Sequence, residues 1–439
     1  MNLIKKYQGK KIAIYGLGKT GISAAKTLKK INAEISCWDD NAKIRKKVKD
    51  LNFPLNKFWE DNNFIDYIVI SPGIDISKCK IKNFLKKNVK KIITDLDIFF
   101  DINKNSSIIS ITGTNGKSTT CKLIEKIFKT AGYNAVAVGN IGNPILNLKK
   151  NKKKKFIILE VSSYQLQYSK VFRSKHAAIL NISPDHLERH KSMTNYMKIK
   201  TKLFYGQRED DYSYINSNCI YYKNIKNIFK RRKLKSKLIY INDDSCKFLL
   251  KNIKNTYFKS KGNIENLAFS YKIAKNFKIK DQTILKALNN FKGLPHRQEI
   301  IFSSNKFICV NDSKATSFIS SLQSLINFKK IYWILGGLPK KQDRFDLKNV
   351  SKKVVKAYIV GKKINFFIQK IKKDLSYKKS HNIKNAINDI LVDIKKNKDS
   401  KFTILLSPAA ASYDQFRNFE ERGNYFKGII ISKLKKLNV

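Results

Sequence analysis

No apolar run in the chain approaches the ~18 residues that a membrane-spanning helix needs, so no membrane insertion is expected. No C-x-x-C pair is present: Cys37, Cys79, Cys121, Cys219, Cys246 and Cys309 are scattered along the chain. Thiols spaced in this way fit free cysteines in a reducing compartment, and a cytoplasmic location is expected. The N-terminus "MNLIKKYQGKKIAIYGLG" sets lysines before a short apolar run, as a signal peptide does. The run breaks at Gly16 and Gly18 and lacks a small-residue cleavage site, so it is read as a first strand. No internal repeat and no disordered tail stand out.

Acidic residues are also few: 33 Asp and Glu face 90 Lys and Arg, a formal charge of +57. A field of this size draws nucleic acid or anionic membranes non-specifically at low salt. The excess is almost all lysine, spread along the whole chain among many Asn and Ile, three residues with AT-rich codons. A nucleic-acid module would instead concentrate basic residues on one element and interleave stacking aromatics. Gene composition therefore explains the charge better than a selected surface, and no specific nucleic-acid partner is expected. An anionic substrate would benefit from the field in either case.

What is present is a repeating grammar. With 439 residues, 42% of them hydrophobic, there is material for roughly three domains of ~150 residues, each able to bury a core. Short apolar runs ("KIAIYGLG", "AEISCWD", "YIVISPG", "SIISITG", "FIILEVSS", "HAAILNIS") alternate with amphipathic helical stretches. This is βαβ patterning and predicts an α/β protein with parallel sheets covered by helices on both faces. The lysine- and aromatic-rich region from about 218 to 260 is read as strands and loops carrying no chemistry. After "GLPHRQE" a third alternating block begins ("FICVND", "IYWILGG", "KAYIVG", "FTILLSP"). Boundaries near 102 and 298 divide the chain into domains over 1–102, 103–297 and 298–439.

Four motifs carry chemistry. "GLGKTG" sets glycines at 16, 18 and 21 between a strand and a helix, where backbone can approach a diphosphate at the helix N-terminus. Asp39 and Asp40 follow at about the spacing of a ribose-binding carboxylate. Alone, this motif fits a nucleotide site, an NAD(P) site or a tight turn. "SPG" (Ser71, Pro72, Gly73) ends a later strand and either completes a diphosphate pocket or is simply a turn. "SIISITGTNGKSTTCKLIEKIF", residues 106–127, follows a strand and opens a helix, as a phosphate loop requires, yet Ile111 stands where such loops carry their first glycine. Gly113 and Gly116 permit tight turns, Lys117 can bridge β- and γ-phosphates, and Ser118 can ligate Mg²⁺. Helix N-capping by Ser118 and Thr119 is the alternative, but it leaves Lys117 and both glycines unexplained. Glu160 ends the strand "FIILE", a position that suits either a Mg²⁺-holding carboxylate or a helix cap. "NISPDHLERH" puts Asp185, His186 and His190 just after another strand, where a histidine serves as ligand, substrate contact or structural residue.

Together "GTNGKST", "GN" at 139–140, "LEVSSYQL", "NISPDHLERH", "NIENLA" and "GLPHR" resemble the Mur ligase family, the ATP-dependent amide ligases that build the peptidoglycan stem peptide. "VNDSKATS" (310–317), "LGGLPKKQD" (335–343) and "LSPAAASYDQFRNFEERG" (406–423) are similar to its D-glutamate-adding branch, and the "DNPR" signature of the diamino-acid-adding enzymes is absent. The motifs run over nearly the whole chain in the family's order. The resemblance implies a Rossmann-like N-terminal domain binding the UDP of UDP-N-acetylmuramoyl-L-alanine. It implies next a central P-loop ATPase-type domain, and a C-terminal Rossmann-like domain that takes D-glutamate and closes on ATP. By the same resemblance Leu17, Thr20, Asp39, Ser71 and Gly73 lie against UDP, with Asn140 and His186 reaching the substrate. Gly113, Thr114, Asn115, Gly116, Lys117, Ser118, Thr119, Asn266, Arg297 and Asp312 contact ATP. Ser118, Glu160, His186 and a carbamylated Lys200 hold Mg²⁺, two ions in all. Lys314, Thr316, Lys340, Ser412 and Phe419 receive D-glutamate.

Some assignments rest on alignment alone. Lys200 has Lys198 and Lys202 nearby, so an ordinary surface lysine is its alternative. Lys340 is chosen over Lys341 by its distance from the glycine pair. Gly262 stands where the family usually has a histidine before Asn263, which bears on the adenine contacts. Folylpolyglutamate-type ligases are the nearest rival but lack the "GLGKTG" to "SPG" domain. An NAD-binding oxidoreductase and a basic nucleic-acid-binding ATPase are the rivals from other classes. Nothing in the motifs demands an oligomer, and a monomer is expected.

Overall fold

A computed structural model describes residues 3–60, 64–103, 106–140, 143–148, 155–340, 343–397 and 401–436. The apolar runs read above become strands of three sheets, and the chain divides into two compact units, Met1–Phe291 and Lys292–Val439.

The first unit holds two sheets. One has the order β2-β1-β3-β4, all parallel, from β1 (Lys11–Tyr15), β2 (Glu34–Trp38), β3 (Tyr67–Ile70) and β4 (Ile92–Ile93). The other has the order β10-β9-β8-β5-β7-β6, also parallel. Its strands are β5 (Ser107–Thr112), β6 (Ala135–Gly139), β7 (Phe156–Glu160), β8 (His176–Ile179), β9 (Tyr212–Asn216) and β10 (Lys237–Ile241). β5 sits at its centre with β8 and β7 on either side, buried on both faces, which is why its sequence is nearly continuous Ile and Ser rather than alternating. Helix Lys117–Thr130 packs Leu123, Ile124 and Ile127 into the same core as Leu267, Phe269 and Ile273 of helix Lys261–Asn276.

The two sheets are joined by helix Asp95–Ile102, whose N-cap Thr94 forms a capping box with Asp97. The other carboxylate oxygen of Asp97 accepts from Ser169 Oγ and from the backbone N–H groups of Lys170 and Val171, each at 2.9 Å.

The second unit has one sheet, β11-β12-β16-β13-β14-β15, from β11 (Glu299–Ser303), β12 (Phe307–Asn311), β13 (Ile331–Gly336), β14 (Val354–Val360), β15 (Tyr377–His381) and β16 (Phe402–Leu406). Only β11 is antiparallel to its neighbour. Among the described residues no helix is long and apolar enough to cross a membrane.

Two details differ from the sequence reading. The stretch read as strands and loops contains a ten-residue helix, Tyr222–Arg231, whose inward face (Tyr222, Ile225, Ile228, Phe229) was hidden among lysines. The edge strands β11 and β15 were not foreseen, because at an edge only one side is covered and the alternation is weak. Arg297 lies in the unit Lys292–Val439.

Candidate active site

In parallel sheets a site forms beyond the C-terminal ends of the strands. At that end of the first sheet, the backbone N–H of Leu17 donates to Asp39 Oδ2 at 2.7 Å, and that of Asn41 to Oδ1 at 2.9 Å. Asp39 is buried and fastens the turn after β1 to the end of β2. Ser71 Oγ donates to the carbonyl of Gly16 at 2.6 Å, which brings the end of β3 to the same turn. Thr20 lies in the first turn of helix Lys19–Lys30, and Gly73 is exposed beyond Ser71.

The loop after β5 is the centre of the second sheet. Gly116 has φ +81°, and a Cβ there would lie 2.2 Å from Asn266 Oδ1, so only glycine lets the loop approach helix Lys261–Asn276 this closely. Asn266 is held in turn by Thr120 Oγ1 at 3.1 Å. Lys117 Nζ donates to the carbonyls of Gly113 (2.9 Å) and Thr114 (2.8 Å), folding over its own loop. Ser118 and Thr119 are buried in the helix's first turn, while Asn115 is exposed at the loop tip.

From β7, Glu160 is buried; its Oε1 accepts from Asn140 Nδ2 at 2.9 Å, and its Oε2 is buried with no hydrogen-bond partner among the described residues. A buried carboxylate oxygen left in this state calls for a cation. After β8 comes His186, whose Nδ1 lies 2.9 Å from the hydroxyl of Tyr164, a residue of the helix that follows β7, and whose Nε2 lies 3.3 Å from Asp185 Oδ2. His190 pairs with Ser163 Oγ at 3.0 Å; burial, aided by the charges of His186, Arg189 and Lys200, lowers its pKa to about 4.

Lys200 is only 1% exposed, which removes the surface-lysine alternative. Its Nζ donates to the carbonyl of Gly113 at 2.9 Å and lies 4.6 Å from the ring centre of Tyr196. Burial first, then the charge of Lys117, hold its pKa well below the ordinary lysine value, with Asp185 and Glu160 opposing. Lys117, Glu160, Asp185 and Lys200 thus share one electrostatic environment. Among the described residues no three His, Cys, Asp or Glu side chains cluster as a metal cage. Mg²⁺ needs none, since one or two carboxylates with phosphate oxygens and waters suffice. The unpartnered Oε2 of Glu160 beside the loop fits such an ion.

Gly262 sits in the first turn of helix Lys261–Asn276, and a Cβ there would meet nothing within 4 Å. Asn263 Nδ2 donates to the carbonyl of Tyr257 at 2.8 Å. A Cβ at position 262 is therefore not excluded by its neighbours, and Asn263 is fixed without a histidine there.

In the second unit Asp312 is buried, with Oδ1 accepting from the N–H of Gln298 (3.2 Å) and Oδ2 from Ser324 Oγ (2.6 Å) and Ser407 Oγ (2.8 Å). Burial raises its pKa to about 6 against these hydrogen bonds. It ties the segment after Arg297 to β12 and β16. Lys314 Nζ stands 4.8 Å from the ring centre of Phe419. The segment carrying Lys340 is aligned with "SPAAAS" by paired backbone bonds between Leu338 and Ala411 (2.8 and 3.0 Å). Gly337 permits this: at φ +130° a Cβ would fall 2.3 Å from the Ala411 carbonyl oxygen. Ser412 is buried, Thr316 half-buried and Lys340 exposed, while Lys341 lies outside the described residues.

The sequence reading missed three residues. Asn181 receives the N–H of Asn115 on Oδ1 (2.8 Å) and returns Nδ2 to the Asn115 carbonyl (3.3 Å), clamping the loop tip. Tyr164 orients His186. Arg422, 3% exposed, donates to Ser313 Oγ and O (3.0 and 2.8 Å) and to the carbonyl of Ala410 (3.0 Å). The only advance signal was position: Asn181 stands two residues and Tyr164 four residues after a strand end facing the loop.

The fold and this site define a nucleotide-binding α/β protein with a P-loop-type centre. The sequence matches the family models for the Mur ligase middle domain over residues 111–282 and for the Mur ligase MurD-like N-terminal domain over residues 10–93. It is 36% identical to the UDP-N-acetylmuramoylalanine–D-glutamate ligase of Rickettsia felis, covering 95% of this chain and 96% of that one. It is 33% identical to the enzyme of that name from Clostridioides difficile, covering 96% and 98%. In fold it is similar to the UDP-N-acetylmuramate–alanine ligase MurC of Thermotoga maritima, with TM-score 0.55 and 14% identity over 96% of this chain and 99% of that one. The chain belongs to the Mur ligase family.

Proposed function

We propose that this chain is an ATP-dependent ligase that joins D-glutamate to UDP-N-acetylmuramoyl-L-alanine in peptidoglycan synthesis. The observation that carries this reading is the near end-to-end identity, at 33–36%, to ligases named for that reaction. The unpartnered Oε2 of Glu160 beside a lysine-bearing phosphate loop supports the ATP-dependent part.

The chemistry explains the charges. The alanyl carboxylate attacks the γ-phosphorus of ATP, an anion approaching an anion; the new P–O bond forms as the bond to ADP breaks, leaving an acyl phosphate. Lys117 and Arg297 neutralise phosphate charge. Glu160 and Ser118 would hold one Mg²⁺, and His186 and a carbamylated Lys200 a second; Mg²⁺ would supply Lewis-acid stabilisation of the phosphate oxygens. Gly113, Thr114, Asn115, Gly116, Thr119, Asn266 and Asp312 complete the ATP site. Leu17, Thr20, Asp39, Ser71, Gly73, Asn140 and His186 take the UDP-linked substrate. The amine of D-glutamate, whose carboxylates meet Lys314, Thr316, Lys340 and Ser412 beside Phe419, then attacks the acyl carbon. The tetrahedral intermediate loses phosphate, and the amine proton goes to solvent or phosphate.

The decisive experiment is an acceptor panel with UDP-N-acetylmuramoyl-L-alanine and ATP, reading phosphate release. D-glutamate should be the only efficient acceptor among D-glutamate, L-glutamate, L-lysine and diaminopimelate. A preference for any of the other three would overturn the reading. Asn181→Ala, which frees the loop tip, should raise the KM for ATP about tenfold and leave that for D-glutamate unchanged. Initial-rate kinetics check this directly.

A further inference from the structure

We infer that Arg189 is a positioning residue that fixes the span between the two loops on which the UDP-linked substrate lies, an inference that rests on the function proposed above. Only ten of the 90 basic residues are arginine. In a chain this rich in lysine, a buried arginine marks a place where a forked donor is required. The side chain of Arg189 is 8% exposed.

Its contacts reach both loops. Nη2 donates to the carbonyl of Ile74, the residue immediately after Gly73, at 2.5 Å. Nε donates to Gln167 Oε1 at 2.8 Å and lies 4.0 Å from Asp75 Oδ2. The guanidinium stands 5.2 Å from the ring centre of Tyr164 and 5.7 Å from that of Tyr168. Tyr164 is the residue whose hydroxyl meets His186 Nδ1, and Tyr168 OH accepts from the N–H of Ile76 at 3.3 Å. One planar cation therefore bridges the "SPGID" loop after β3 in the first sheet and the "PDHLERH" loop after β8 in the second.

A ligand whose UDP end lies on the first loop and whose reacting carboxylate lies near the second is aligned only if the two loops keep a set distance. A shift of about 1 Å at a reacting centre can cost on the order of 10²-fold in rate. A lysine at this position would offer a point charge without the fork or the stacking plane.

The test compares Arg189→Ala and Arg189→Lys with Lys170→Ala. Lys170 also joins the two sheets' regions, through the carbonyls of Val89 and Lys90 at 2.8 Å, away from both loops. Arg189→Ala should raise the KM for UDP-N-acetylmuramoyl-L-alanine about tenfold and lower kcat about tenfold, with the KM for ATP unchanged. Arg189→Lys should fall between, and Lys170→Ala should behave as wild type. Affinity for UDP alone should stay within about twofold, because UDP engages only one loop. Hydrogen exchange over residues 71–77 should quicken in Arg189→Ala. Equal weakening of UDP and full substrate, kinetics no different from Lys170→Ala, or unchanged exchange would each overturn the inference. Failure of the wild-type protein to turn over this substrate would overturn the proposed function instead, and the exchange measurement would still report on the bridge.

Discussion

Glu160→Gln is expected to lower turnover about 10³-fold, the scale on which loss of a transition-state electrostatic partner acts, while the melting temperature stays level or rises. The two effects have one cause. Glu160 is 2% exposed, and among the described residues only its Oε1 finds a donor, Asn140 Nδ2. A buried carboxylate held in this way costs stability until a cation arrives. Glutamine keeps the shape and can still accept from Asn140 through its carbonyl oxygen, so that hydrogen bond survives the substitution. It cannot offer negative charge to Mg²⁺. Wild-type protein should therefore gain thermal stability on addition of Mg²⁺ and ATP, by mass action on the folded state, and Glu160→Gln should gain much less. Calorimetry with and without nucleotide, together with phosphate-release rates, checks both halves. Turnover within tenfold of wild type at saturating Mg²⁺ would remove Glu160 from the site.

How much of this was legible beforehand depends on whether a residue's role is local. The loop Gly113–Ser118 could be read because its requirements lie within six residues: a turn, a lysine and a helix start. Ile111 in place of a first glycine is explained by the strand, since Ile111 is a fully buried member of β5 paired with Glu160 of β7 and Ala178 of β8. Asn181 clamps a loop 66 residues earlier in sequence, and only the order β8-β5-β7 brings them together. No local pattern encodes that meeting. Lys200 shows the same limit from the other side: its neighbours Lys198 and Lys202 look identical in sequence, yet only helix Met193–Thr201 packed by Tyr196 and Met197 decides which lysine points inward. Edge strand β15, "YKKSH", buries only Ser380, so its lysines, which protect an open edge, mask it as loop. Arg422 illustrates convergence: two motifs singled out separately, "VNDSKATS" and "LSPAAASYDQFRNFEERG", are fastened by one guanidinium.

Lys200→Met is expected to make the protein more heat-stable near neutral pH and to cut turnover by about 10²–10³-fold. In the folded state burial and the nearby charge of Lys117 depress the lysine's proton affinity well below its ordinary value of 10.5. In the unfolded chain the amine keeps its proton up to that ordinary value. The unfolded state therefore binds more protons throughout the window between the depressed pKa and 10.5, so stability rises with pH across it and is penalised below. Methionine has a similar length and no proton to lose, so the penalty vanishes. In carbonate-free buffer the stability difference between variant and wild type should be larger at neutral pH than toward pH 10, where it should shrink. The depressed pKa favours the neutral, nucleophilic form of the amine; in the carbamylation proposed above, its nitrogen lone pair would bond to the carbon of CO₂, one proton would pass to solvent, and a carbamate anion would result beside Lys117. Removal of CO₂ should then lower wild-type turnover, and bicarbonate should restore it, whereas neither should act on Lys200→Met. A methionine variant that is less stable at neutral pH would contradict the buried-amine argument. Turnover indifferent to CO₂ would contradict carbamylation while leaving that argument standing, because the two rest on separate measurements.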